Sequence, residues 1–207
     1  MNEDWWKLRH ENCIETTRKG GFELAFLGDS ITQGWEGTGK EVWNNYYASR
    51  KAANFGFSGD RTENVLWRLA NGELVGSSPK VIVIMIGTNN VGAGSVTPKE
   101  TAQGVKAIVD ALREKIPSAE ILLLGVFPRA QTKDDPLRLR VNQINSTISH
   151  FAGEHVHYLD IGKYFLSSNG ELRTALMPDL LHPNAEGYAI WQKAMEATLD
   201  QLLGAKR

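Results

Sequence analysis

Three residues whose side chains could carry out nucleophilic catalysis lie in two loop-like segments of this 207-residue chain. Ser30 belongs to the segment Gly28–Thr32, whose small polar residues follow a strand-like apolar run. Asp179 precedes His182 by three residues, and prolines on both sides keep this pair out of a helix interior. A serine nucleophile needs a general base, and the base needs a carboxylate that fixes its tautomer. These residue types therefore indicate nucleophilic catalysis, while a capping role for each of them is the alternative interpretation.

Two further loops contain glycine and small polar residues where a strand-like run ends. One spans Asn54–Asp60 and includes Gly59, and the other spans Gly87–Asn90 and includes Asn89. Ligands of open parallel sheets bind beyond the carboxyl ends of the strands, where the strand order reverses. If the strands are ordered 2-1-3-4-5, then Ser30, Gly59 and Asn89 converge on one spot. In the alternative role for Asn89, its side chain closes its own loop as an Asx-turn.

The elements that must position these loops alternate between short apolar runs and helix-length amphipathic segments. Five runs are predicted to be strands, namely Phe22–Leu27, Lys51–Phe55, Lys80–Ile86, Glu120–Val126 and His155–Leu159. The β-branched run Lys80–Ile86 is typical of a strand that is buried on both faces of a parallel sheet. The alternation predicts an α/β protein, a three-layer α/β/α sandwich around a five-stranded parallel sheet, for which we assume the flavodoxin-like order 2-1-3-4-5.

Helix-start and helix-stop signals bound three longer segments. Thr97 is predicted to cap a helix that ends before Pro117, because Pro98 and Glu100 complete a capping box. The predicted helices span 97–116, 135–152 and 184–203. The short stretch Val91–Val96 is predicted to be a loop beside the site.

Composition limits the classes of function that the chain can have. Hydrophobic residues make up 42% and charged residues 23%, with a net charge of −1, which is the usual mixture of a globular protein. The sequence has no Lys/Arg run, no Cys/His cluster with zinc spacing and no apolar stretch of about 18 residues. It therefore argues against nucleic-acid binding, a metal site and a membrane span. We expect one domain over residues 1–207, in which 1–20 is a helical extension.

The N-terminal segment bears on the compartment. Met1–His10 lacks the basic stretch followed by an apolar stretch that defines a signal peptide. A cytoplasmic location is therefore the expectation for the chain as it stands. A periplasmic or secreted location would apply if an export signal had been removed.

Four blocks, in the order Ser, Gly, Asn and His, give the chain a resemblance to a known family. They are Gly28–Ile31, Gly59, Gly87–Asn90 and the pair Asp179 and His182. In these blocks the sequence resembles the GDSL, or SGNH, hydrolases, and within them the branch of brain-type platelet-activating factor acetylhydrolase catalytic subunits. The similarity to this branch covers roughly residues 22–200 and includes the segments Asn54–Thr62, Val65–Leu69 and Asn71–Leu74.

Three positions depart from the family pattern. Ile31 replaces the Leu of the family name, Asn90 stands where many members have Asp, and Ser58 stands where relatives often have a second Gly. None of these positions has a catalytic role in the family, so the departures bear on substrate preference.

The resemblance implies a role for each catalytic residue. Ser30 is the nucleophile, His182 the general base and acid, and Asp179 the carboxylate that orients it. The oxyanion hole is formed by the main-chain N–H groups of Ser30 and Gly59 and by the side-chain amide of Asn89. Donors fixed in this way typically contribute about 10²–10³ in rate each. The chain contains no Gly-x-Ser-x-Gly motif, which excludes the nucleophile elbow of the α/β-hydrolases.

An esterase for acetyl or other short acyl groups is the implied activity, with carbohydrate or small-molecule O-acetyl esters as preferred substrates. The candidates for substrate binding are Asp29, Ile31, Thr88, Leu181 and Trp35. Asp29 is also expected to hold the Ser30 loop by hydrogen bonds rather than to serve as the triad acid. Trp35 could line the cleft and stack on a sugar, although packing in the core is its favoured role.

Two other functions stay open on the sequence. One is a lysophospholipase or thioesterase with a longer acyl pocket, which a series of acyl-chain lengths would distinguish. The other is a non-catalytic flavodoxin-like module whose Gly/Ser/Thr loop binds a phosphate, but it leaves Asn89 and His182 without a role.

The resemblance also implies a homodimer and neither a metal nor an organic cofactor. Trp67 is expected to serve in packing or in the dimer interface. Trp5 and Trp6 are expected to cover the sheet edge or a partner surface.

Overall fold

A computed structural model describes residues 3–204 and contains a five-stranded parallel sheet. The strands are β1 (Leu24–Gly28), β2 (Ala52–Gly56), β3 (Val81–Met85), β4 (Glu120–Leu124) and β5 (Val156–Leu159). Their order is β2-β1-β3-β4-β5, and every neighbouring pair is parallel. The predicted fold class and strand order are therefore confirmed. Each strand also begins and ends close to the limits of the run predicted for it.

The register brings the ends of three neighbouring strands to the same level. Gly28 at the end of β1 pairs with Gly56 of β2 and with Met85 of β3. A Cβ atom on Gly56 would lie 2.2 Å from the main-chain nitrogen of Gln33. Glycine at this position therefore lets the segment after β1 pack directly over the end of β2.

Helices cover both faces of the sheet. They are α1 (Asp4–Lys19), α2 (Ser30–Gln33), α3 (Lys40–Tyr46), α4 (Thr62–Ala70), α5 (Thr88–Ala93), α6 (Pro98–Lys115), α7 (Pro136–Ile148) and α8 (Ala185–Leu203). One buried core contains side chains of α1, α4, α6 and α7, and a second core on the other face contains side chains of α8 with α3 packed against it. The arrangement is the predicted three-layer sandwich.

Alternation along the strands explains how one sheet serves two cores. In β3, Ile82 and Ile84 belong to the first core, while Val81, Val83 and Met85 belong to the second. Successive side chains of a strand point to opposite faces, so an uninterrupted apolar run is required here. Polar side chains that could take part in chemistry therefore lie in the segments beyond the strand ends.

The capping box predicted at Thr97 is confirmed. Its hydroxyl accepts a hydrogen bond from the Glu100 N–H at 3.2 Å, and the Glu100 carboxylate accepts one from the Thr97 N–H at 2.8 Å. The helix that follows ends at Lys115, ahead of Pro117 as predicted.

Two predicted boundaries need correction. The helix that begins after Asp135 ends at Ile148 rather than near Ala152, because a turn of 3₁₀ helix follows it. The segment Val91–Val96 is a loop only in its second half, since α5 continues to Ala93 and ends at Gly94 with a φ of 73°. Asn89 therefore lies in the first turn of a helix.

The N-terminal segment folds back on the domain as α1. Its side chains Trp6, Cys13 and Thr17 are buried, so this helix forms part of the first layer. Within residues 3–204, none of the helices combines the length and the apolar character that crossing a bilayer requires.

Candidate active site

Ser30 is the first residue of α2, directly beyond the carboxyl end of β1. The carboxylate of Asp29 caps this short helix by accepting the Ile31 N–H at 3.0 Å. The Asp29 carbonyl accepts the Gln33 N–H at 2.8 Å. These bonds hold the main chain on both sides of Ser30, whose side chain is half-buried.

The hydroxyl of Ser30 meets a histidine from the far end of the chain. Ser30 Oγ lies 2.9 Å from His182 Nε2. His182 Nδ1 lies 2.6 Å from Asp179 Oδ2. A carboxylate can only accept, so Nδ1 carries the proton and Nε2 is free to accept the hydroxyl proton of Ser30. The predicted Ser30, His182 and Asp179 thus form one continuous hydrogen-bonded chain.

The Asp179 carboxylate is held by main-chain donors. Its Oδ1 accepts the Leu181 N–H at 3.0 Å and the His182 N–H at 2.7 Å. Partial burial acts to raise the pKa of Asp179, but the hydrogen bonds from His182 and Leu181 outweigh it and leave the pKa below its usual range. The carboxylate therefore stays ionised opposite the imidazole.

Leu180, between these two residues, adopts a left-handed conformation. Its φ is 64°, which is uncommon for a residue with a side chain. The turn is held because the Leu180 N–H donates to the Met177 carbonyl, and the Leu180 carbonyl accepts the Ala130 N–H. A sharp reversal of this kind brings both carboxylate oxygens of Asp179 against His182.

Gly59 lies in the loop that follows β2 and has a φ of 79°. Nothing lies within 4 Å of the position that a Cβ atom would occupy there, so the requirement for glycine comes from the backbone conformation. Its neighbour Ser58 donates its N–H to Gln33 Oε1 at 2.7 Å, which joins this loop to α2. Gly59 itself is exposed beside the serine loop.

Asn89 joins the loop after β2 to α5, the helix that follows β3. Its side-chain nitrogen donates one hydrogen bond to the Asp60 carbonyl at 2.8 Å. An amide has two N–H groups, so the second remains to serve as a donor. The alternative role in an Asx-turn stays a prediction, because that turn would use the side-chain oxygen rather than the nitrogen that binds Asp60.

A shallow cavity of about 420 Å³ opens beside the serine. Its lining consists of glycines and polar residues, namely Ser30, Gln33, Gly34, Glu36, Gly37, Thr38 and Ser58. Glu36 is paired with Arg9 through two hydrogen bonds of 2.8 and 2.7 Å. The wall of the cavity is therefore polar, and its carboxylate already has a cationic partner.

Four of the five predicted substrate-binding residues lie in the interior instead. Asp29, Ile31 and Thr88 are each 1% exposed, and Trp35 is fully buried among the aromatic rings of the second core. Burial raises the pKa of Asp29 to about 7, in spite of its hydrogen bond from the Ile31 N–H. With 1% or less of their surface accessible, these four residues do not line the cavity beside Ser30, and a substrate contact by any of them stays a prediction. Leu181 alone is half-buried.

Sequence reasoning missed three polar residues near the site. Gln33 and Glu36 line the cavity, and Arg129 donates to the Thr88 carbonyl at 2.8 Å. A signal for Gln33 was present, since a residue three positions after Ser30 lies on the same side of a helix. Arg129 had no local signal, because only the fold brings the loop after β4 beside α5.

Comparisons with known proteins find similarity over most of the chain. A model of the GDSL-like lipase/acylhydrolase family matches residues 26–190. Platelet-activating factor acetylhydrolase IB subunit alpha1 of Homo sapiens is 35% identical over 200 residues, which cover 96% of this chain and 84% of that protein. The similarity therefore extends over nearly the whole chain.

Two solved structures share the fold. A GDSL-like lipase from Bacteroides thetaiotaomicron superposes with a TM-score of 0.77 at 19% identity, covering 93% of this chain and 97% of that one. An acetylxylan esterase from Geobacillus stearothermophilus superposes with a TM-score of 0.67 at 20% identity, covering 90% and 96%. At these identities, the superpositions establish the fold alone.

Proposed function

Because the chain belongs to the GDSL-like lipase/acylhydrolase family and is a carboxylic ester hydrolase, we propose that it cleaves esters of acetyl and other short acyl groups. The observation that carries this proposal is the contact of Ser30 Oγ with His182 Nε2 at 2.9 Å, continued from His182 Nδ1 to Asp179 at 2.6 Å. A serine hydroxyl becomes an effective nucleophile when such a base can take its proton.

The first half of the reaction forms an acyl-enzyme. Ser30 Oγ attacks the carbonyl carbon of the ester while its proton passes to His182 Nε2, and Asp179 stabilises the resulting imidazolium. The carbonyl oxygen gains the negative charge of the tetrahedral intermediate. As the carbon–oxygen bond to the alcohol breaks, His182 returns the proton to the departing alkoxide.

The second half releases the acid. A water molecule gives a proton to His182 Nε2 while its oxygen attacks the acyl carbon. The second intermediate then collapses: the bond between the acyl carbon and Ser30 Oγ breaks, His182 returns the proton to Oγ, and the carboxylic acid leaves. Both intermediates place charge on the same oxygen. The Ser30 and Gly59 N–H groups and the second N–H of Asn89 are the donors that we assign to it, since fixed donors stabilise a charge that develops only in the transition state.

Two observations favour a small acyl group on a polar alcohol. The cavity beside Ser30 is lined by glycines and polar side chains, which suit hydroxyl-bearing substrates better than a long hydrocarbon chain. The relative that is 35% identical over 200 residues is named as an acetylhydrolase. Together they support O-acetyl esters of carbohydrates or other polar small molecules as the substrate class.

The test is hydrolysis of p-nitrophenyl acetate, butyrate and octanoate by the wild type and by Ser30→Ala. We expect Ser30→Ala to lose at least about 10³-fold in kcat/KM, and the wild-type rate to decline from acetate to octanoate. Ser49→Ala is a matched control, because this exposed serine lies just before β2, at the opposite end of the strand. It should keep full activity.

Other results would redirect the proposal. Faster cleavage of octanoate than of acetate would favour a lysophospholipase or thioesterase with a longer acyl pocket. Undiminished activity in Ser30→Ala would mean that the nucleophile is a different residue.

We also propose that the chain is a homodimer, on the basis of the resemblance to the acetylhydrolase subunits. Trp67 is 40% exposed, so it is accessible for such an interface. Light scattering should then give twice the chain mass of 23.0 kDa. A mass equal to that of one chain would contradict the dimer.

A further inference from the structure

We propose that the N-terminal helix α1 takes part in catalysis indirectly, and that Trp6 and Asp60 are positioning residues for the oxyanion donors. The inference rests on the proposed roles of Gly59 and Asn89. It concerns a buried ionic cluster that the reaction itself does not use, formed by Trp6, Asp60, Arg68, Glu73 and His10.

Asp60 stands directly after Gly59 and is 2% exposed. Its Oδ1 accepts the indole N–H of Trp6 at 2.7 Å, and its Oδ2 accepts the Arg68 Nε–H at 2.8 Å. Both carboxylate oxygens are thus occupied by donors from other elements, α1 and α4. A buried carboxylate held from two sides leaves the main chain of its own residue little freedom.

The main chain of Asp60 is the part that touches the site. Its carbonyl accepts the Asn89 side-chain N–H at 2.8 Å, and its N–H donates to the Phe57 carbonyl at 3.1 Å. The direction of the Asn89 amide therefore depends on where the Asp60 carbonyl lies. The Gly59 N–H belongs to the same turn as the Asp60 carbonyl. A shift of this turn would therefore displace both the Gly59 N–H and the Asn89 amide.

Arg68 connects this turn to the serine loop. The guanidinium is fully buried, lies 3.9 Å from the centre of the Phe57 ring, and points Nη2 at the Gly28 carbonyl at 3.4 Å. Gly28 is the last residue of β1, two positions before Ser30. One cation thus contacts the segments that carry two of the three assigned oxyanion donors.

The cluster is completed on the side of α1. Arg68 pairs with the fully buried Glu73, whose other oxygen lies 2.8 Å from His10 Nδ1. Burial raises the pKa of Asp60 above its usual value, although the Arg68 charge and the hydrogen bonds from Trp6 and Arg68 oppose this rise. Two residues of α1, Trp6 and His10, therefore supply hydrogen bonds to buried carboxylates beside the site.

The decisive variant is Trp6→Phe, which removes the indole N–H and keeps an aromatic ring in place. Trp5→Phe is its matched control on the neighbouring residue, because the Trp5 indole N–H also binds a carboxylate, that of Glu3 at 2.9 Å, but at an exposed position. We expect Trp6→Phe to lower kcat for p-nitrophenyl acetate about 5- to 30-fold with KM within twofold, a part of the 10²–10³ typical of one lost donor. Trp5→Phe should match the wild type.

A second readout separates positioning from a loss of folded protein. An alkyl boronic acid forms a tetrahedral adduct with a serine oxygen, so its inhibition constant reports on the oxyanion donors. In Trp6→Phe this constant should rise by about the same factor as kcat falls. Circular dichroism and thermal unfolding establish that the protein assayed is folded.

A double variant tests the route through Asn89. In an Asn89→Ala background the side-chain N–H of Asn89 is already absent. Trp6→Phe should therefore lower kcat by a smaller factor in that background than in the wild type. Asp60→Asn places an amide N–H against either the Trp6 indole N–H or the Arg68 Nε–H, so one of these hydrogen bonds is lost. Its kcat should therefore fall as in Trp6→Phe. If Asp60→Asn does not fold, Trp6→Phe decides alone.

The proposal is overturned if folded Trp6→Phe keeps its kcat and boronic acid affinity, or if Trp5→Phe loses as much. Full activity in Ser30→Ala, measured in the same series, would instead overturn the proposed function. The two failures are therefore distinguishable.

Discussion

Asp179 binds His182 twice. One carboxylate oxygen lies 2.6 Å from the ring Nδ1, and the other accepts the main-chain N–H of the same residue at 2.7 Å. A single carboxylate thus holds both the ring and the main chain of the histidine. This arrangement sets both the tautomer and the position of the imidazole, although both side chains are partly exposed.

Asp179→Asn should therefore leave the fold intact and abolish most of the activity. An amide N–H facing Nδ1 favours the tautomer that carries its proton on Nε2, which cannot accept the proton of Ser30. We expect kcat to fall about 10³–10⁴-fold, with Tm close to that of the wild type. Asp134→Asn, at an exposed aspartate, is the control, and a loss below tenfold in Asp179→Asn would contradict the assigned role.

Substitution of the neighbouring residues Asn89 and Asn90 should affect different properties, kcat in the first case and Tm in the second. Asn89→Ala removes an assigned oxyanion donor, so kcat should fall about 10²–10³-fold. Asn90 is buried and bonds instead to Thr62 at the start of α4, at 3.1 Å. Asn90→Ala should mainly lower Tm, as measured by thermal unfolding, and the same loss of kcat in both variants would argue against the role of Asn89.

Gly59→Ala has an unusually close control in Gly76→Ala. The two glycines have φ values of 79° and 78°, and neither has an atom within 4 Å of the Cβ position. Both variants should lose about 1–2 kcal/mol of unfolding free energy from the left-handed conformation. Only Gly59→Ala should also lower kcat, by about tenfold or more. Alanine keeps the main-chain N–H, so a loss of kcat would come from a displaced donor. Equal kinetics in the two variants would contradict the prediction that the backbone conformation of Gly59 positions an oxyanion donor.

Asp29 should make stability depend on pH. Burial raises its pKa from the ordinary 3.8 to about 7 in the folded protein, so the folded state binds a proton more tightly than the unfolded chain does. The folded protein therefore loses stability as the pH rises from about 4 through 7, by on the order of 4 kcal/mol from this group.

Asp29→Asn tests this dependence, because the amide oxygen can still accept the Ile31 N–H. We expect the variant to have a Tm about 5 °C or more above the wild type at pH 8.5 and a smaller advantage at pH 5. Differential scanning calorimetry at several pH values measures both. A difference in Tm that stays constant across this pH range would show that Asp29 is not the titrating group.

Much of the fold was predictable because its signals are local. The apolar runs mark all five strands, and the capping box at Thr97 and the prolines mark helix ends. The end of α7 was less predictable, since the chain continues beyond Ile148 as a 3₁₀ turn without a stop signal. The short stretch Val91–Val96 is rich in Gly and Ser, which favours a loop, whereas in the structure Val91 belongs to the short helix α5.

The sequence by itself determined the α/β fold class and, through the resemblance to a known family, the candidates Ser30, Gly59, Asn89, Asp179 and His182, because short motifs and apolar runs consist of residues that are close together in the chain. The strand order was an assumption until the tertiary structure gave it, because the pairing of distant strands is not a local property. Only the tertiary structure decided which side chains meet. Ser30 and His182 are 152 residues apart in the chain, and Trp6 and Asp60 are 54 apart.

Burial likewise depends on the whole fold. Asp29, Ile31, Thr88 and Trp35 are near catalytic residues in sequence, yet the packing of α2, α5 and the aromatic core turns them inward. Adjacency along a chain does not set the direction of a side chain, because that direction is fixed by the elements packed around it.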